Sequence, residues 1–578
     1  MTKSSPRPNE APPAKLFAPA AACADAFGLM ERGRILTNIF TSLRGRQILL
    51  GLILFALLLG GIGLRRYAWR ETTHLRFQRD IANGFYWGSQ TLAEGRRLSP
   101  GEKSDSWRSF ARGYIGLYDR VQEEAYEKNY YLDYPPLRLL VMSIWAKEVR
   151  AKFPGVEDGT PDYVEPLLQV NLVAELVTAL GIFLLVRLGV RRASGATDSG
   201  LLHRLPPTER GWVCGLLAAS VAWLEPSLIL DAHAWPQWDC WILPFYLFAA
   251  LAALTRRWFW CGCLLAAGGM LKGQLLFVAP FFLFWPLWQK RWTRALHLLA
   301  GFTATAAVIV SPWLLRSPPA WLAVGTVGVA VAAFLWHRRS RNTLAWTAGI
   351  AGAAAFTLGS LGDGSFAWLR IGFLYGSERY PFLFISSCFN LPSLLFHGDL
   401  SVKAPVWAVH FGAFYFVLTW QWALRLIYLA ALVLCALGAA RHARRRDPRL
   451  LIALAMPWLL MFALLAQMHE RYLLWGAVLS TVALGVSVRL TVVHFLFSMM
   501  SATMITQVLL LDKKLGPTLS TIDFLERIRP AASCVLLLCV AVYFREVLSQ
   551  RSPFFRPRRT LRPTEPNASL ALATAEKA

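Results

Sequence analysis

Charge-free apolar runs long enough to cross a bilayer recur from near Ile48 almost to the C-terminus, and nothing else narrows the fold so far. A hydrocarbon core about 30 Å thick needs roughly 20 residues of helix, and every backbone polar group inside it must be satisfied by the protein. The 578 residues are 55% hydrophobic and 16% charged, which excludes a soluble, secreted, fibrous or wholly disordered chain. The 60 Lys+Arg against 35 Asp+Glu leave a net charge of +25. These cations sit in short tufts between apolar runs, as in the cytoplasmic loops of a membrane protein. A nucleic-acid partner is excluded on that pattern; the expected partner is the lipid bilayer. The cysteines Cys214, Cys261, Cys263, Cys435, Cys534 and Cys539 lie in apolar runs without metal-ligand spacing and read as small core residues.

The expected fold is an all-α polytopic membrane protein. Residues 1–46 read as a disordered cytoplasmic tail ending in an interfacial helix. No cleavable signal peptide is expected, because the first apolar run starts only near Ile48. A first span, 47–64, precedes a large polar loop, 65–164, and then a bundle, 165–546, with a basic cytoplasmic tail at 547–578. Basic tufts near Arg191, Arg256, Lys290, Arg338, Arg444 and Arg558 mark the cytoplasmic side, so the large loop is extracytoplasmic. The later spans fall at 165–187, 211–230, 240–255, 258–271, 275–289, 295–315, 320–336, 344–361, 421–440, 450–467, 472–488, 491–511 and 530–546, about fourteen in all with the first. Residues 406–420 suit a re-entrant or interfacial helix. Arg257 and Lys290 share a side, yet two full spans need roughly 40 residues and fewer separate them. That pair must be short or broken near Lys272-Gly273-Gln274, which implies a cavity open to the outside.

Polar motifs gather at the outer ends of spans. The large loop carries Asp80, Asp119 and Asp133, the last before Tyr134-Pro135-Pro136. The third span ends in Asp231, His233, Gln237 and Asp239; the broken pair offers Lys272 and Gln274; a later outer segment holds Arg379 and Asn390; the eleventh span ends in His469-Glu470-Arg471. Carboxylates and cations converging on one face can hold an anionic headgroup and deprotonate an acceptor. Plainer roles stand beside that one. Tyr134-Pro135-Pro136 makes a turn, Lys272 snorkels, the His-Glu-Arg run forms a loop salt bridge, and His233 is a hydrogen-bonded interfacial histidine. Glu175 and Arg425, inside spans, form a buried pair or mark a pathway.

LDYPPLRLL, LILDAHAWPQWDC, LKGQLLFVAP, SSCFNLPSLL and LLAQMHERYLL occur in this order at span ends. Together they resemble the GT-C class of membrane glycosyltransferases, and within it the dolichyl-phosphate-glucose-dependent glucosyltransferases of N-glycan assembly and their bacterial relatives. The resemblance implies hexose transfer from a polyprenyl-phosphate donor to an extracytoplasmic glycan or lipid-linked acceptor, by inverting single displacement and without an essential metal or other cofactor. It implies Asp80 as the base, with Asp133 the acid of the YPPL motif and a second catalytic candidate. Lys272, Gln274, Arg379, His469 and Arg471 become donor-phosphate ligands; Tyr134, His233, Gln237, Asp239 and Asn390 become substrate contacts. A bacterial inner membrane with a periplasmic active face is the expected location. The alternative is a transporter or flippase of a lipid-linked anionic sugar, which uses the same cations and no base.

Overall fold

The computed structural model describes residues 43–72, 79–102, 106–123, 132–155, 161–193, 205–338, 340, 342–374, 388–395, 400–412, 414–513 and 516–549. The chain divides into two compact units, residues 1–62 and 63–578. In the first, the described residues 43–62 are helical, and Ile48, Leu52, Phe55 and Leu59 are exposed, as suits contact with lipid. The tail and interfacial helix expected before residue 43, and the tail beyond residue 549, lie outside the described residues. Apart from the helix that runs from the first unit into the second, everything below concerns the second unit.

Helix α1 (Leu43–Thr72) is followed by three helices of the polar loop, α2 (Arg79–Leu98), α3 (Trp107–Glu123) and α4 (Pro136–Lys152). Their amphipathic spacing explains them. In α3, Phe110, Tyr114, Leu117, Tyr118 and Val121 recur at helical intervals and form the buried face. Pro136 opens α4, where a missing N–H costs nothing and its fixed φ is already helical. Glu94 of α2 is buried and pairs with Arg97 (2.6 Å) and Arg120 of α3 (2.9 Å). Burial alone would raise its carboxyl, but the hydrogen bonds from Arg97 and Arg120 outweigh it and hold the pKa below the ordinary value.

The bundle continues through α5 (Pro161–Arg192), α6 (Pro207–Trp223), α7 (Ile242–Leu254), α8 (Trp258–Leu271), α9 (Gln274–Val278), α10 (Pro280–Trp288), α11 (Trp292–Leu314), α12 (Pro318–His337) and α13 (Thr343–Leu361). After the hairpin β1 (Pro405–Phe411) and β2 (Phe414–Thr419) come α14 (Trp420–Arg445), α15 (Leu450–Leu464), α16 (Leu473–Ser480), α17 (Val488–Lys513) and α18 (Gly516–Leu548). Among the described residues, eight helices are long and apolar enough to cross a membrane, or nine if the bent pair Thr208–Trp223 and Pro226–Ala234 is one span. The chain is an integral membrane protein of mostly helical fold. The other segments expected to span, including 240–255, 258–271, 275–289 and 450–467, are helical yet short or interrupted.

The break expected between 258–271 and 275–289 is present. Lys272 ends α8 with extended backbone (φ −151°, ψ 118°), and α9 starts two residues later. Segment 406–420, in contrast, is neither a re-entrant nor an interfacial helix. It is the antiparallel hairpin β1–β2, paired from Pro405 with Thr419 to Phe411 with Phe414. Valine, phenylalanine, tyrosine and tryptophan favour strands, and Gly412 takes the positive φ (61°) that a two-residue hairpin turn requires at its first position.

Candidate functional site

A cavity of about 590 Å³ lies where the polar-loop helices meet the ends of the bundle, within the usual range for a ligand site. Four stretches of chain supply most of its wall: Asp133 to Arg138, Lys272 to Phe277, Gly372 to Leu374 and Leu465 to Tyr472. Asn83 of α2 and Gln421 and Arg425 of α14 complete it.

The Tyr-Pro-Pro turn is one wall, and it is held from behind. Tyr118 Oη donates to the Tyr134 carbonyl, and Tyr114 Oη donates to that of Pro136 at 2.7 Å. Burial pushes the Tyr118 hydroxyl well above its ordinary pKa, so it remains a donor. Gly372 lies against the same turn: a Cβ there would meet the Tyr134 carbonyl oxygen at 2.9 Å and Pro135 Cα at 3.0 Å. Arg138, in the first turn of α4, stacks over the rings of Tyr134 (4.1 Å) and Trp238 (4.4 Å). Asp133 is exposed on the cavity wall.

Opposite stands a buried ion cluster. The Asp239 carboxylate has no exposure; Lys272 pairs with one of its oxygens and Arg471 Nε lies 2.8 Å from the other. Aromatic faces frame both cations, Tyr472 and Trp475 beside Lys272 at 5.0 and 5.2 Å, and Trp235 beside Arg471 at 5.0 Å. Trp475 Nε1 donates to the Asp239 carbonyl at 2.8 Å, and Gln274 Nε2 donates to Tyr472 Oη at 3.2 Å. Asp239 thus aims two cations that both reach the cavity. Among the described residues, Arg138, Lys272, Arg425 and Arg471 line it against the single carboxylate Asp133; behind the wall the buried carboxylates Asp231, Asp239 and Glu470 offset much of that charge. The lining itself carries more positive than negative side chains, which favours negative charge at the cavity surface.

Of the residues singled out in the sequence, Asp133, Tyr134, Lys272, Gln274, His469 and Arg471 share this cavity. Asp239 does not line it and serves as the buried counter-ion. His233 does not line it either, because its Nε2 is engaged by Glu175 at 3.0 Å. Gln237 is fully buried, its backbone carbonyl accepting from Asn171 at 2.8 Å. Asn390 accepts from the Ser393 N–H through its side chain (3.1 Å) and closes a local turn. Asp80 lies in the first turn of α2, one turn before Asn83; its side chain is outside the described residues, as is Arg379. Glu175 pairs with Arg65, and Arg425 lines the cavity, so the two are not partners.

Arg138 and Asn83 escaped the sequence reading. Arg138 carried a usable signal: a cation one turn after a rigid Tyr-Pro-Pro turn rides on the same helical face.

Connectivity also fixes which helix ends carry the site. α8 begins beside Arg257 and ends at Lys272; α14 begins beside Gln421 and ends at Arg444 and Arg445; α15 begins beside Arg449 and runs to Leu465. In each helix the cavity residues stand at the end opposite the arginines. No protein-family model and no curated protein matches the chain.

Proposed function

We propose that the protein is a hexosyltransferase of GT-C type, which takes the sugar from a polyprenyl-phosphate hexose and delivers it to an extracytoplasmic acceptor. One observation carries the reading: a single cavity unites the Tyr-Pro-Pro turn and Asp133 with Lys272, Gln274, His469 and Arg471, drawn from three distant parts of the chain. The arginine-rich ends of α8, α14 and α15 belong inside by charge, so the cavity faces out, into the periplasm if the membrane is a bacterial inner membrane.

In this mechanism the donor phosphate rests against Lys272 and Arg471. Asp239 occupies part of their donor capacity, and a lysine with three donors and an arginine with five have more to offer. The acceptor hydroxyl attacks the anomeric carbon while the bond from that carbon to the phosphate oxygen breaks. The hydroxyl proton passes to a carboxylate, and the polyprenyl phosphate leaves as an anion whose growing charge the preorganised cations stabilise. Two carboxylates qualify as the base, Asp80 by resemblance and Asp133 by its place on the cavity wall.

Single-turnover transfer from a radiolabelled polyprenyl-phosphate hexose separates them. Asn substitution of the base keeps the shape, removes the basicity and lowers transfer by roughly 10²–10⁴-fold with donor affinity unchanged. Wild-type transfer by both Asp80→Asn and Asp133→Asn contradicts a carboxylate base and favours transport of the intact lipid-linked sugar.

A further inference from the structure

The hairpin β1–β2 stands beside the cavity and takes no part in it. From Ala404 to Trp420 the chain has no Asp, Glu, Lys or Arg. Its pairing places Trp407, Val409, Phe416 and Leu418, with Phe411 at the tip, on one face. Trp407 and Phe416 touch across the strands at 6.4 Å. That face is uncovered: Trp407 is 57% exposed, Phe411 83% and Phe416 59%.

Two surroundings are physically poor for such an element. In water, an isolated two-stranded hairpin is marginal at best, and one presenting large aromatic rings invites aggregation. In the hydrocarbon core, the unpaired N–H and C=O groups of both strand edges have no partner, and each costs several kcal/mol. The headgroup region resolves both problems, because amphipathic aromatic rings settle there and water still reaches the backbone. The hairpin is also tied to a membrane-crossing helix. The Trp420 and Gln421 N–H groups donate to the carbonyls of Ala404 (3.1 Å) and Val402 (3.0 Å), and β2 runs directly into α14. α14 has 26 residues and is therefore about 39 Å long, which exceeds the hydrocarbon thickness and leaves its first turn at headgroup level. Lys403, exposed immediately before the charge-free run, supplies a cation suited to anionic headgroups.

We propose that β1–β2 is a membrane-interface element lying in the headgroup region of the leaflet on the cavity side, with the Trp407–Phe411–Phe416 face turned toward the acyl chains. It holds the mouth of the cavity at the depth where a lipid headgroup sits. The proposal stands without the transferase reading, and its test needs no donor.

The test uses full-length protein without native cysteines, in nanodiscs of phosphatidylcholine and phosphatidylglycerol. Spin labels go singly at positions 411 and 416, with a third at 407 in case either variant misfolds. A control label replaces the exposed Glu123 of α3. Collision with oxygen, which concentrates in lipid, is compared with collision with a water-soluble nickel chelate. The expected result is a several-fold higher oxygen-to-nickel ratio on the hairpin than at 123. Nickel accessibility on the hairpin equal to that at 123 overturns the proposal by placing the hairpin in water. Immobilised labels reached by neither reagent overturn it too, since a second copy or another protein then covers the face.

Discussion

Replacing Asp239 by Asn keeps the shape of the side chain and deletes its charge, which leaves Lys272 and Arg471 facing each other. The Asp239 side chain is fully buried, and those of Lys272 and Arg471 are 4% and 10% exposed. Water therefore screens the cluster little. Removing one partner of a buried ion pair costs about 3–5 kcal/mol, mostly from the charge left without compensation. Asp231 stays within electrostatic reach of both cations, so the lower half of that range applies, still a large share of the 5–15 kcal/mol typical of a folded domain. No cavity is created and no aromatic contact is lost. The assay is reversible unfolding in mixed micelles with increasing dodecyl sulfate, with Glu148→Gln, an exposed change on α4, as the control expected to stay within about 0.5 kcal/mol. The double variant Asp239→Asn/Lys272→Met removes one of the stranded charges and recovers part of the loss. If Asp239→Asn unfolds within about 1 kcal/mol of wild type, the carboxylate is not the counter-ion that organises the site.

Three other outcomes follow from the same geometry. Lys272→Ala or Arg471→Ala weakens binding of a polyprenyl-phosphate hexose by about 2–5 kcal/mol in a filter or calorimetric assay, whereas a purely snorkelling lysine leaves affinity untouched. Gly372→Ala drives a methyl group into the Tyr134 carbonyl and Pro135; it lowers donor or acceptor binding through displacement of the Tyr-Pro-Pro turn, and unchanged binding and thermal stability contradict that contact. Asp447, between α14 and α15, is burdened by burial yet held well below its ordinary pKa by hydrogen bonds to His442 and Arg449. Its folded pKa is depressed, so its contribution is complete above the unfolded value near 3.9 and fades as pH falls through the folded one. Asp447→Asn should therefore cost about 2 kcal/mol at pH 7, with the difference shrinking only below about pH 4; a difference already gone at pH 6 contradicts the assignment.

Helix positions were legible because apolar run length is a strong signal, and the broken pair at Lys272 followed from basic tufts set too close together. The hairpin was not legible. Its strands are apolar on both faces, which erases the alternation that identifies a half-buried strand, and seventeen residues without charge imitate part of a span. The candidate site was read in outline, since polar motifs at span ends must gather somewhere. What sequence could not supply was pairing across the fold. Asp239 looked like a ligand for substrate and proved to be the counter-ion of Lys272 and Arg471; Glu175 turned out to hold Arg65 and His233. Such partners come from separate helices, and only packing decides who meets whom.

The most direct test of the central claim is made in proteoliposomes carrying purified protein, with a polyprenyl-phosphate hexose labelled in the sugar and an extract of lipid-linked and glycan acceptors. The account predicts that the label leaves the lipid phosphate and appears in acceptor, with polyprenyl phosphate released in equal amount. Label that stays on its lipid while moving between leaflets contradicts the account and makes the protein a flippase.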